Sequence, residues 1–380
     1  MRLEKKSPYG VNSYILYVFV GILAFTVGII SQKMGYPHQI KKVLSEIVVP
    51  APNATDATPV HEETKPLDFS VSVEEENFLR QSLIVDPVRV SLNHLRLPEN
   101  TSGHYRFLAT GHVYGDPNTS NGSHPAATWI RFLPEIDQMD LDMIFFMGDI
   151  VPKSTADQFE KFEDQVFRHL QIPVFNAVGN HDVEYRSLYE QRYGSSFYTF
   201  SHGPAQFIIL DTELNACKMG VLQTNFLEAS VSKALDDSQI SSIFILMHKV
   251  LFLDRETLKG LFESGHLKSA PNAQECYLEH DFEAVLSQIL LPAADQKHIY
   301  LLAGDVGAWG GNLSPFYDEL QNSSVTFLAA GIGDSEEDVV LLIEYDQQNV
   351  DVGFLRLNGQ PFEEFRKFDL DYYQTLTEQK

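Results

Sequence analysis

Between residues 105 and 330 the chain returns repeatedly to short, continuously apolar runs: 105–110 (YRFLAT), 143–147 (MIFFM), 173–178 (PVFNAV), 206–211 (QFIILD), 242–247 (SIFILM), 298–303 (HIYLLA) and 325–330 (VTFLAA). Runs of this length without polar alternation suit strands buried on both faces, so they predict sheet covered on each side. Segments 126–138, 155–169, 184–192, 222–235 and 279–290 read as helices between them. The alternation predicts an α/β domain with layered sheets. Hydrophobic residues are 44% of the 380-residue chain and charged residues 21%, enough apolar material for a sizeable core.

Residues 14–31 form an uncharged apolar run long enough to cross a bilayer as one helix. Arg2, Lys5 and Lys6 precede it, which predicts a cytosolic tail over 1–13, although Lys33, Lys41 and Lys42 on the far side reduce the bias. A cleaved signal peptide is the rival reading, but no A-x-A-like cleavage site follows. Residues 32–67 are rich in Pro, Ala, Thr and acidic residues and read as a stalk. Then come an N-terminal packing segment (68–103), the main domain (104–365) and a C-terminal tail (366–380). The expected arrangement is a single-pass membrane protein with its main domain lumenal or extracellular, a bacterial periplasm being the alternative.

Sequons at Asn53, Asn100, Asn118, Asn121, Asn312 and Asn322 favour a glycosylated lumenal domain. Cys217 and Cys276 lack the spacing of a cysteine-built zinc site. They read as a disulfide pair in an oxidising compartment or as two buried thiols. The net charge of −24, with no basic cluster, argues against nucleic acid as a partner. Positive charge for an anionic substrate then has to come from bound metal. Nothing in the sequence sets the oligomeric state.

Polar residues crowd the carboxyl ends of the apolar runs, where ligands collect in α/β sheets. Gly111-His112-Val113-Tyr114-Gly115-Asp116 follows the first, Gly148-Asp149 the second and Gly179-Asn180-His181-Asp182 the third. His248 follows SIFILM, and Gly304-Asp305-Val306-Gly307 follows HIYLLA. These are the nitrogen and oxygen donors that Mn, Fe or Zn accept. Any one of them alone is most simply a turn or a helix cap; the ordered set points to a metal centre.

With these blocks the sequence resembles the calcineurin-like metallophosphoesterase superfamily, which includes purple acid phosphatases, over about residues 104–345. The family pattern is D-x-H, G-D, G-N-H-[DE], a lone His after a strand, and G-H-x-H. The resemblance implies a four-layer αββα β-sandwich flanked by helices, here preceded by one transmembrane helix and a stalk. It implies that Asp149 bridges two metals and that Asn180 and His248 bind the second of them. It also implies that His181 contacts the phosphate and protonates the leaving group, with Asp182 as an orienting carboxylate.

Two blocks depart from the pattern. His112 stands at the family's Asp and Tyr114 at its His, while Asp305 and Gly307 replace the two His of the last block. The second metal then keeps Asp149, Asn180, His248 and Asp305. The first keeps Asp149 and His112, with Tyr114 as a further donor or a pocket wall, and is weakened. The implied cofactor is a divalent or trivalent transition metal, and the implied partner a phosphoester substrate. The implied reaction is hydrolysis, as phosphatase or phosphodiesterase, by metal-activated hydroxide attacking phosphorus. The alternatives are an impaired pseudophosphatase that binds a phosphorylated ligand or protein, and a structural domain whose turns merely cap helices.

Overall fold

The computed structural model describes residues 90–98, 100, 103–115, 125–215, 218–254, 282–306, 314–320, 324–335, 338–346 and 349–378. The expected membrane run, the stalk, Cys217, Cys276, Gly307 and the sequons at Asn53, Asn118, Asn121, Asn312 and Asn322 lie outside them. Among the described residues no helix is long and apolar enough to cross a membrane.

Each apolar run becomes a strand. In chain order these are β1 (His104–Thr110), β2 (Met143–Phe146), β3 (Val174–Asn176), β4 (Tyr198–His202), β5 (Ala205–Ile209), β6 (Ser242–Met247), β7 (His298–Ala303), β8 (Phe316–Glu319), β9 (Val325–Ala329), β10 (Val339–Asp346) and β11 (Asn349–Arg356). One sheet has the order β11-β10-β1-β2-β3 and the other β4-β5-β6-β7-β9-β8. The strands that carry the polar blocks pair in parallel, β1 with β2, β2 with β3, and β6 with β7, so their carboxyl ends point the same way.

Parallel neighbours require crossovers, and helices supply them. These are α1 (Ala127–Ile136), α2 (Ala156–Gln165), α4 (Gly220–Asp236) and a helical stretch from Phe282 to Ala294, while α3 (Arg186–Tyr193) links β3 of one sheet to β4 of the other. Tyr105, Phe107 and Ala109 of β1 share a buried cluster with Phe207 of β5, Phe244 and Leu246 of β6, and Leu302 of β7, so this cluster lies between the sheets. Leu108 belongs to a second cluster with Trp129 of α1 and Phe159 of α2. Ile243 and Ile245 belong to a third with Phe226 of α4 and Phe282. Alternate residues of one strand thus face sheet and helix, which makes four layers, helix–sheet–sheet–helix.

Two segments outside the expected main domain also pack against it. Val90 and Leu92 are buried, and the Leu92 amide donates to Val174 O at 2.8 Å, so packing of the N-terminal segment is visible from residue 90 onward. The expected tail contains a helix, α5 (Leu370–Glu378), whose Tyr373 is buried and donates from its hydroxyl to Pro315 O at 2.6 Å. Helix α5 is therefore part of the domain. Tyr373→Phe keeps the ring and removes that bond, and chemical denaturation is expected to show a loss of about 1 kcal/mol.

Candidate metal centre

Contacts between backbones bring the strand ends of both sheets together. The amide of His112, after β1, donates to Gly148 O at 3.0 Å. The amides of Gly304 and Asp305, after β7, donate to His248 O, after β6, at 3.1 and 2.8 Å. Gly111 after β1 bridges Gly331 after β9, joining one sheet to the other. Glycine is required at two of these places. At Gly148 φ is +87°, and a Cβ there would lie 2.2 Å from His248 Nδ1; a Cβ on Gly304 would lie 2.1 Å from Met147 O.

Four side chains meet at this junction. His112, Asp149, His248 and Asp305 each offer one ligand atom, all within 4.8 Å of one another. His112 Nε2 lies 3.0 Å from Asp305 Oδ1 and 3.7 Å from Asp149 Oδ2. His248 Nε2 lies 3.5 Å from Asp149 Oδ2 and 3.6 Å from Asp305 Oδ1. A tetrahedral ion with bonds of about 2.0–2.1 Å has ligand–ligand edges of about 3.4 Å, so these four atoms fit one.

The His248 ring is set for this role. Its Nδ1 lies 2.8 Å from Met147 O, a carbonyl that can only accept, so Nδ1 carries the proton and Nε2 keeps its lone pair. That Nε2 is buried without a hydrogen-bond partner, as expected for an atom reserved for an ion. Burial pushes the imidazolium pKa down to about 3, which keeps the ring neutral.

Asp149 is buried and Asp305 half-buried, and each has a charged neighbour. Burial is the largest influence on Asp149 and pushes its pKa up, with Asp182 and Asp305 adding and His112 and Lys249 opposing. A cation would reverse that direction. At Asp305 burial is outweighed by the Lys249 ammonium and the His248 and His112 rings, which hold the carboxyl well below the usual range. Asp149 at φ 58° and His112 at φ 56° adopt the left-handed backbone region, at a cost on the order of 1–3 kcal/mol each. Strain at two ligands of one cluster is characteristic of a functional site.

Of the expected set, Asp149, His248 and Asp305 lie in this cluster of histidines and carboxylates together with His112, while Asn180 Oδ1 accepts a hydrogen bond from Lys249 Nζ at 2.8 Å. The left-handed turn at His112 carries its ring across to Asp305, so donors expected at two metals come together in one cluster. Tyr114 is buried, its ring centre 5.5 Å from that of His112 and 5.2 Å from that of His181, and it forms a wall of the pocket. His181 is half-buried, with Nδ1 2.9 Å from Pro152 O.

Asp182 needs a larger correction. It does not orient His181. Its carboxylate accepts backbone N–H bonds from Asp149 at 2.9 Å, Ile150 at 2.8 Å and Gly179 at 3.0 Å, and a side-chain bond from Asn176 at 3.2 Å. It ties the Gly148-Asp149 loop to the Gly179-Asn180 loop, with burial as the main influence raising its pKa and these donors opposing. The sequon at Asn100 also reads differently. The Asn100 side-chain nitrogen is buried, so attaching a glycan there requires that nitrogen to become exposed.

Lys249 was missed by sequence reasoning. It is 7% exposed, donates to Asn180 Oδ1 and Asp305 Oδ2 at 2.8 Å each, and lies 3.9 Å from Glu213. Burial alone would lower its pKa, but Asp305, Glu213 and Asp149 outweigh burial and raise it. The available signal was a Lys directly after a strand-end His; its inward direction is a tertiary fact.

Residues 106–251 match the family model of the calcineurin-like phosphoesterases, in agreement with the resemblance drawn from the strand-end blocks. The matched segment contains His112, Asp149, Asn180, His181, His248 and Lys249 and ends before Asp305. Among solved structures the chain is similar to purple acid phosphatase PPD1 from seeds of yellow lupin (Lupinus luteus). The two are 15% identical with a TM-score of 0.46, over 70% of this chain and 54% of that one, so this chain spans about half that length. No curated protein aligns with the sequence.

Proposed function

We propose that the chain is a metal-dependent phosphoester hydrolase whose cation is held by His112, Asp149, His248 and Asp305. The observation that carries this reading is the partnerless buried Nε2 of His248, facing two carboxylates at tetrahedral spacing in a chain that matches this family model. When bound, a Zn-, Mn- or Fe-class ion supplies Lewis-acid neutralisation of phosphate charge and a nucleophile from water near neutral pH. Asp149 and Asp305 give the site the negative charge that draws a cation in, and the rings of His112 and His248 complete the donor set. His181 acts on the leaving group: with Nδ1 held by Pro152 O, its imidazolium presents the Nε2 proton to the departing alkoxide.

The test is turnover of 4-nitrophenyl phosphate and bis(4-nitrophenyl) phosphate by the full-length chain with Mn, Zn or Fe. Chelation is expected to abolish the rate and metal to restore it. His181→Ala is expected to slow alkyl phosphates by about 10²–10⁴-fold, the usual range for general-acid catalysis, and nitrophenyl esters far less because nitrophenolate needs no proton. An equal loss on both ester classes contradicts the acid role.

One observation favours a second reading, a pseudophosphatase that binds a phosphorylated ligand or protein without cleaving it. Lys249 already engages Asn180 and Asp305, so the donors for a second ion are in use. Metal bound tightly with no turnover of either ester would select that reading.

We further propose that residues 14–31 anchor the chain in a membrane, with 1–13 cytosolic and the phosphoesterase domain lumenal or exterior. The uncharged run behind Arg2, Lys5 and Lys6 supports this, as do the clustered sequons. Protection of the domain from protease in sealed vesicles, and a mobility shift on removal of N-glycans, are the expected results.

A further inference from the structure

We propose that Lys249 Nζ occupies the second cation position of this centre as a fixed ammonium, so that the chain binds a single metal ion and faces its phosphate with one ion and one side-chain cation. The inference rests on the phosphoester reading and goes beyond it to the composition of the site.

The two carboxylate oxygens of Asp305 do different work. Oδ1 faces His112 Nε2 and His248 Nε2 at 3.0 and 3.6 Å, within the four-ligand cluster, while Oδ2 accepts from Lys249 at 2.8 Å. Asp305 thus bridges the cluster and the ammonium. Asn180 completes the second position with Oδ1 at 2.8 Å from Nζ, and Glu213 stands behind at 3.9 Å.

An ion drawing on Asn180 Oδ1 and Asp305 Oδ2 would need bonds of about 2.0–2.2 Å to atoms that Nζ already holds. It would also sit within about 4 Å of the ammonium, where two unit charges repel by about 4 kcal/mol at an effective dielectric constant of 20. The ammonium therefore excludes the second ion by place and by charge. An ammonium has three N–H bonds, and those to Asn180 and Asp305 use two. The third is available to a phosphoryl oxygen, a contact that a second metal would otherwise make.

Removing the cation should reopen the position. Lys249→Ala leaves Asn180 Oδ1, Asp305 Oδ2 and Glu213 without their ammonium, a set of oxygen donors suited to Mn. The experiment loads the purified full-length chain with Mn(II), removes loosely held metal, and measures equivalents by elemental analysis and coupling by electron paramagnetic resonance. Wild type is expected to hold about one equivalent with an uncoupled single-ion spectrum. Lys249→Ala is expected to hold about two, with the exchange-coupled spectrum of ions about 3.5–4 Å apart. Lys249→Arg keeps a cation and is expected to stay at one.

Two coupled equivalents in wild type overturn the inference and leave the phosphoester reading standing. No bound metal in wild type overturns both. A folded Lys249→Ala that stays at one equivalent shows that the ammonium is not what excludes the second ion, and overturns the inference. If Lys249→Ala does not fold, the wild-type count and spectrum still decide it.

Discussion

Asp149→Asn is expected to lower phosphoester turnover by about 10³-fold or more and to release the bound metal, because the change removes a charged donor from the centre of the site. Asp149 is 1% exposed and lies 3.5 Å from His248 Nε2 and 3.7 Å from His112 Nε2. An amide oxygen keeps the shape but not the charge, and an ion's contribution to a phosphoryl transition state is worth several kcal/mol, or about 10³-fold at 1.4 kcal/mol per factor of ten. Metal content by elemental analysis should fall together with rate. Full metal occupancy with unchanged turnover would place the chemistry elsewhere. The fold should survive, because Asp149 faces other charged groups and the change relieves repulsion from Asp182 and Asp305.

Asp182→Ala should do the opposite, unfolding the site before any chemistry is lost. The carboxylate holds the amides of Asp149, Ile150 and Gly179 and the Asn176 side chain, all buried. Each donor left buried without an acceptor costs about 1–3 kcal/mol, and loss of the whole set is expected to cost about 4 kcal/mol or more. That is a large share of a typical domain's stability. Asp182→Asn retains one acceptor oxygen and turns an N–H₂ toward donors, so it should fall between Ala and wild type. The midpoint of urea unfolding reads both. A stable Asp182→Ala protein with slow turnover would return Asp182 to a catalytic role.

The two substitutions separate neighbouring acidic residues that look alike in the linear chain. Each stands in a short polar block after an apolar strand, Gly148-Asp149 after β2 and Gly179-Asn180-His181-Asp182 after β3. One points into the cluster and the other back under it. The left-handed backbone at Asp149 aims its side chain at the histidines, while the turn at Gly179, whose carbonyl accepts the Asp182 amide at 3.0 Å, folds Asp182 beneath the adjoining loop.

The strands carrying the site were legible because burial on both faces leaves only apolar residues in them, and such runs stand out without any partner being known. β4, β8, β10 and β11 were not legible. β10 and β11 mix polar positions such as Glu344 and Asp351 with apolar ones, and β4 and β8 are edge strands; their pairing depends on neighbours distant in the chain. Helix α5 was hidden likewise, since its sequence resembles a polar tail until Tyr373 finds Pro315.

By itself the sequence determined which residue types stand at the strand ends, and so that metal-ligating donors were available there, because donor identity is a local property of the chain. Only tertiary structure decided which donors come together. His112 and Asp305 are 193 positions apart and meet at 3.0 Å, while Asn180 is linked to Asp305 through the Lys249 ammonium. The reason is geometric: a side chain reaches only a few ångströms, and its direction follows from the backbone angle and from the loop that arrives opposite.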